Sequence, residues 1–116
     1  TIATTGNAIV FGNLTTGRLT AACSNGIRGV FGGHSNGSGL YYSIIDYVTI
    51  ATTGNAIVFG NLTTGRIGAA ACSNGTRGVF GGEMDLEYIT IATNSDSFHF
   101  GNLHSNKSHV ASCSGN

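Results

Sequence analysis

The chain has no proline and no tryptophan, and charge is scarce: five Lys and Arg stand against five Asp and Glu in 116 residues. A balance this thin offers no basic patch to a nucleic acid or another polyanion. No apolar run is long enough to be a transmembrane helix, and no cleavable signal-peptide pattern is visible. Cysteine is limited to Cys23, Cys72 and Cys113, an odd count that does not make a disulfide framework. Phosphate-loop, zinc-ligand and nucleophile-elbow spacings are missing too. What abounds is glycine, 19 residues, without the three-residue period of collagen. Gly-Asn and Asn-Gly pairs recur at Gly6-Asn7, Gly12-Asn13, Asn25-Gly26, Asn36-Gly37 and Asn74-Gly75. Such pairs are turn dipeptides between apolar runs, so short strands and tight turns are expected, and long helices are not.

One segment is written nearly three times. Residues 1–18 read TIATTGNAIVFGNLTTGR, residues 49–66 repeat them letter for letter, and residues 90–107 read TIATNSDSFHFGNLHSNK. The offsets are 48 and then 41 residues. Most of the difference lies in one connection, Gly33 to Ser43 against the shorter Gly82 to Leu86. A repeat of this length is the range of β-propeller blades, each a four-stranded antiparallel sheet.

Four strand-like runs are expected per repeat. The first is Leu19 to Ser24, matched by Ile67 to Ser73; the second is Arg28 to Gly33, matched by Arg77 to Gly82. The third is Ile45 to Ala51, matched by Leu86 to Ala92. The fourth is Ala56 to Gly60, matched by Ala8 to Gly12 and Ser97 to Gly101. The third run carries bulky residues on both alternating faces, as in a sheet packed between neighbouring sheets. The narrow side chains of Ala21 to Cys23 and Ala69 to Cys72 suit the most crowded, innermost position. The cysteines are repeat-equivalent and read as small buried hydrophobes.

In this order the residues resemble kelch repeats: an Arg (Arg18, Arg66), a strand of small residues, Val-Phe-Gly-Gly (ending Gly32-Gly33 and Gly81-Gly82), an acid beside Tyr47 or Tyr88, then a large aromatic and a Leu. Two departures stand out. Phe11, Phe59 and Phe100 replace the usual Trp, and the acid precedes the Tyr. The resemblance implies an all-β fold of kelch-like β-propeller blades. Strands three and four of a partial blade fall in 1–17, complete four-stranded blades in 18–65 and 66–106, and the first strand of a further blade in 107–116. That is a little under three blades, where closure takes four to eight. The partners so implied are copies of itself or the rest of a longer propeller chain. Arrays of this style also look like virion or surface proteins of tailed bacteriophages and bacteria.

The search for chemistry returns little. His99, His104 and His109 cluster in the third copy, but the other copies hold Val, Thr or Gly there, so they read as drift. Asp46 and Glu87 are repeat-equivalent, which points to a structural role, and no acidic pair is placed for glycoside hydrolysis. No cofactor and no metal are expected. The connection from Gly33 to Ser43 breaks the symmetry of the repeat, and its Ser38, Leu40, Tyr41 and Tyr42 form the candidate binding loop. Aromatics among small polar residues suit a cell-surface carbohydrate or protein. The expected function is a non-enzymatic structural or adhesion module on a virion or at the cell surface, with neither nucleic acid nor membrane as partner. The alternatives are a binding domain of a larger carbohydrate-active or oxidase enzyme, and an intracellular kelch-type adaptor, for which only the unpaired cysteines speak.

Overall fold

The computed structural model describes residues 3–16, 19–35, 38–65, 69–107 and 110–114, and among them the chain is all-β, with antiparallel sheets and no helix. The first sheet holds β1 (Leu19–Ser24), β2 (Arg28–Ser35), the two-residue β3 (Tyr41–Tyr42), β4 (Ile44–Thr49) and β5 (Ile57–Asn61). Its order is β1-β2-β4-β5, with β3 pairing on β2. The second sheet holds β6 (Ala70–Ser73), β7 (Arg77–Thr90) and β8 (Phe98–Lys107), in that order.

β7 is a hairpin rather than one rod. Fully extended, Arg77 and Tyr88 would lie roughly 35 Å apart at about 3.3 Å per residue. Instead the Arg77 guanidinium sits 4.6 Å from the Tyr88 ring centroid. Ile91 N–H donates to the Thr76 carbonyl at 2.9 Å, as Ile50 N–H does to Ile27 at 2.8 Å. The chain reverses at Glu83, whose φ is 56°. With that reversal both sheets are the same meander, in the same register. Cys23 faces Val30 as Cys72 faces Val79, and Tyr47 faces Ile57 as Tyr88 faces Phe98. Even the register shift recurs, between Ile45 and Asp46 in one sheet and between Leu86 and Glu87 in the other.

The Asn-Gly turns form as their chemistry dictates. The Asn25 side-chain oxygen accepts from Ile27 N–H and Arg28 N–H, and Asn74 does the same for Thr76 and Arg77. Gly26 and Gly75, next in each turn, take φ of 88° and 90°, which a side chain at that position would oppose. The Gly-Gly pairs of the two copies act differently. Gly33 takes φ 76°, but in the second copy the left-handed residue is Glu83, one place beyond Gly82. Gly32 serves close approach: a Cβ there would stand 2.9 Å from the Phe80 ring.

The core lies between the sheets. Ala21, Cys23, Val30, Ile45, Phe59 and Leu62 come from the first unit, and Phe80, Ile89 and Ile91 from the second. Fully burying a side chain of this size contributes about 1.5–3 kcal/mol. β1 and β6 lie against one another, and the Ser73 hydroxyl donates to the Ser24 carbonyl at 2.7 Å. The narrow Ala-Ala-Cys runs therefore stand where the sheets come together. Residues 8–12 and 110–114 carry no ladder of their own. A strand needs a paired neighbour, and among the described residues no third strand stands beside residues 8–12.

Candidate functional site

Two places concentrate specific interactions: the junctions between successive repeats, and the connection from Ser38 to Ser43. At each junction the Gly-Asn-Leu-Thr of one copy docks on the following copy. The Phe11 carbonyl accepts from Gly54 N–H at 2.9 Å and the Asn13 carbonyl from Ala56 N–H at 2.8 Å. Asn13 N–H donates to the Asn55 side chain, and Thr15 donates through both N–H and hydroxyl to the Asp46 carboxylate. One repeat later the Asn61 carbonyl accepts from Ser97 N–H at 2.8 Å, and Asn61 N–H donates to Asp96 at 2.9 Å. Thr63 donates through N–H and hydroxyl to the Glu87 carboxylate, which also accepts from the Ser97 hydroxyl at 2.9 Å.

Asp46 and Glu87 are wholly buried. A buried carboxylate is tolerable only with donors on its oxygens, and the preceding copy supplies them. Gly12 and Gly60 let the backbones meet: a Cβ on either would collide with the carbonyl of Gly54 or Ser95. Arg28 adds a further link. It stacks 4.3 Å from the Tyr47 ring centroid and donates to the Ile91 carbonyl at 3.3 Å and to the Asn94 side chain at 2.9 Å. A flat guanidinium can stack and bond at once, which an ammonium cannot.

In the candidate loop, β3 ties Tyr41 and Tyr42 to Ser35 and His34 of β2. Gly65 presses on the Tyr41 backbone, where a Cβ would come within 2.6 Å of its carbonyl. Leu40 and Tyr41 remain exposed, and Tyr42 is half-buried. The loop therefore presents an aliphatic and a phenol side chain from a backbone held on both sides. Ser38 is exposed beside Gly39, whose φ is 87°.

Tyr47 and Tyr88 each lie under an arginine and edge-on to a phenylalanine, Phe59 at 6.0 Å and Phe100 at 6.1 Å. The arginines are Arg28 and Arg77. Arg18 and Arg66, singled out in the sequence, lie outside the described residues. Gly81 lies against Leu86 and Gly82 against Ala69. His99 and His104 are exposed on β8, and His109 lies outside the described residues. No three His, Cys, Asp or Glu among the described residues are placed to hold a metal ion.

The cysteines differ despite their equivalence. Cys23 is buried, Cys72 half-buried and Cys113 exposed, so the expectation of three buried thiols holds at Cys23 alone; the segment of Cys113 lies beside β6, where the Ser112 hydroxyl donates to the Ala71 carbonyl at 2.7 Å, but carries no ladder of its own. Burial, with Cys72 nearby as the lesser cause, pushes the Cys23 thiol up from 9.0 to about 11.

Sequence reasoning saw the equivalence of Asp46 and Glu87 but not their threonine partners or Arg28. The usable signal was the recurrence of Asn-Leu-Thr at 13–15 and 61–63 in step with an acid. In comparisons with known proteins, no family model and no curated protein matches the chain.

Proposed function

We propose that the chain is a non-enzymatic structural and adhesion scaffold of kelch-like β-propeller blades, working on a virion or a bacterial surface. The observation that carries this reading is the interlock. Two sheets of identical register are joined through the buried Glu87, which accepts from Thr63 of the first unit, and its repeat equivalent Asp46 holds the segment before the first sheet in the same way through Thr15. Carboxylates bound in this way set the spacing of the array and are not offered to a substrate. Blades stacked by one repeated contact make a rigid body, and the loop at Leu40 and Tyr41 is what that body presents. An exposed aromatic on a fixed backbone loses little freedom on binding, which favours carbohydrate rings or a protein surface.

The test is retention of the labelled chain on bacterial cells and on their purified surface polysaccharide, beside the variant Leu40→Ser/Tyr41→Ser. Retention by the parent chain and its loss in the variant are the expected result. Equal behaviour of the two removes the loop from the adhesion role. Release of shorter saccharides during incubation, read by mass spectrometry, replaces the scaffold with an enzyme.

A further inference from the structure

Each sheet turns one face forward, toward the copy that follows it. On the first sheet that face is occupied by the second sheet. On the second sheet the same positions are open, and the difference can be read residue by residue. Phe59 is 3% exposed and its equivalent Phe100 is 54% exposed, although each meets its own sheet's tyrosine in the same edge-on geometry. Gly60 is pressed on the Ser95 backbone, whereas a Cβ on Gly101 would meet nothing within 4 Å. Arg28 reaches across to the Ile91 carbonyl and Asn94, whereas Arg77, stacked on its own Tyr88, meets no such carbonyl among the described residues. Gly32 receives the Phe80 ring, whereas beside Gly81 a cavity of about 270 Å³ remains, lined by Cys72, Val79, Leu86, Leu103 and Val110 among others. A dry apolar cavity of roughly 150 Å³ already holds a benzene ring.

We propose that the forward face of the second sheet is a docking seat for one further complete unit of this repeat. That unit brings its own Val-Phe-Gly-Gly hairpin, acid-Tyr strand and Gly-Asn or Ser-Asp turn. Its phenylalanine enters the cavity at Gly81, its turn closes on Gly101, and its isoleucine carbonyl caps Arg77. Its carboxylate meets the segment from Asn102 to His104. His104 stands where the other copies have Thr15 and Thr63, and there its imidazole replaces a hydroxyl as donor.

The occupant follows from what each candidate carries. The first residues of a second copy offer the turn Gly6-Asn7-Ala8, equivalent to Gly54-Asn55-Ala56, but residues 1–16 contain neither an acid nor Val-Phe-Gly-Gly. They fill the seat at Gly101 and bring Ile2, the equivalent of Ile91, for Arg77, but leave the cavity and the place of the carboxylate empty. The first sheet of a second copy is no better, because its Asp46 is bonded to its own Thr15. A complete unit fills all of these positions, through contacts that the internal junction already makes once. The inference rests on the repeat-scaffold part of the proposed function and not on adhesion, so a failure to bind cells leaves it standing.

The absence of tryptophan supplies the experiment. Phe100→Trp is made in the chain as it is, and in the chain continued after residue 116 by a second copy of residues 76–107, which extends the repeat in phase. Phe59→Trp in each chain reports the internal junction. The expected result is long-wavelength emission from F100W in the original chain, and a shift in the extended chain to the wavelength of F59W. Gly101→Val should leave the original chain unchanged and abolish that shift. An F100W emission that stays put while F59W remains blue-shifted overturns the seat, as does a shift that survives Gly101→Val. Loss of the F59W signal on extension also counts against it, since a docking unit adds to an array without unfolding it. A blue shift of F100W in the original chain as its concentration rises assigns the seat to a second copy and overturns the choice of occupant.

Discussion

Residues 11–15 dock on the first sheet and residues 59–63 dock on the second through a shared set of bonds: the Asn13 or Asn61 carbonyl, an amide donor on the turn, and a threonine on a buried carboxylate, with the Phe11 carbonyl adding one more at the first. Their apolar side chains fare differently. Phe59 and Leu62 are each 3% exposed, while Phe11 is 37% exposed and Leu14 only half-buried. Behind Phe59 stands a complete sheet with Tyr47 on its ring; behind Phe11, among the described residues, stands none. The hydrogen bonds of the junction thus depend on a short segment and on the sheet it meets. The core of the junction needs a sheet on both sides. In an array of this kind polar bonds set position and register, and apolar burial supplies most of the free energy.

That division is tested most severely by truncating the aromatics. Phe59→Ala should lower the stability of the chain by about 3–5 kcal/mol, the range for deleting a buried ring. Phe11→Ala, at the equivalent position, should cost less than about 1 kcal/mol. Urea unfolding followed by far-ultraviolet circular dichroism measures both. Equal losses would mean that the first junction has a core of its own and that the contrast drawn from exposure is wrong.

How much of this was legible in the sequence depends on distance along the chain. The Asn-Gly turns at 25–26 and 74–75 are local devices, and they form where they were read. The strands of both meanders follow from apolar runs and their punctuation, and the repeat foretold their common register. The junctions were not legible in the same way. Thr15 lies 31 residues from Asp46, and Thr63 lies 24 from Glu87. A period reveals which positions are equivalent, not which come together, so a structural role could be assigned to both acids and no partner to either. Arg28 was passed over for a related reason. It opens a strand in both copies, and only the packing of the sheets brings the Ile91 carbonyl to it. The left-handed residue at Glu83 escaped because the repeat aligns Gly33 with Gly82, and in the shorter connection the positive φ falls one residue further on. The candidate loop was visible through its break in symmetry. Its anchoring, by β3 and by Gly65, required the fold.

The thiols sharpen the comparison through pH. Cys23 lies in the filled junction, and its pKa is raised to about 11 by burial. An acid held neutral in the folded state contributes stability that is fully present below its unfolded pKa, near 9, and is lost as pH rises through the folded value. Each pKa unit corresponds to about 1.4 kcal/mol. Stability measured by urea titration should therefore fall between about pH 9 and 11, by roughly 2 kcal/mol, and Cys23→Ala should remove that part of the fall. At neutral pH the same arrangement orders the reactivity toward a thiol reagent: Cys113 first, Cys72 next and Cys23 last. Fast labelling of Cys23 would show that the junction opens more readily than its burial implies.

Removing one hydroxyl at a time isolates the polar half of the junction. Thr63→Val keeps the shape of the side chain and removes the hydroxyl that donates to Glu87; Thr15→Val does the same to Asp46. Each leaves a buried carboxylate with one donor fewer, for which a loss of about 1–3 kcal/mol is ordinary. Glu87 retains the Ser97 hydroxyl and the Thr63 amide, while the corresponding residue beside Asp46 is Ala56, which has no hydroxyl to offer. Thr15→Val should thus weigh on its carboxylate more heavily than Thr63→Val, the reverse of the order expected for the phenylalanines. Ala56→Ser in the Thr15→Val background should restore part of the loss, by placing a hydroxyl where Ser97 stands. Rescue at Asp46, with none from the same substitution when Thr15 is intact, would separate hydrogen bonding from packing within a single junction. A Thr15→Val chain as stable as the parent would mean that the backbone bonds of the segment from Phe11 to Thr15, to Gly54, Ala56, Asn55 and Asp46, hold it without the hydroxyl.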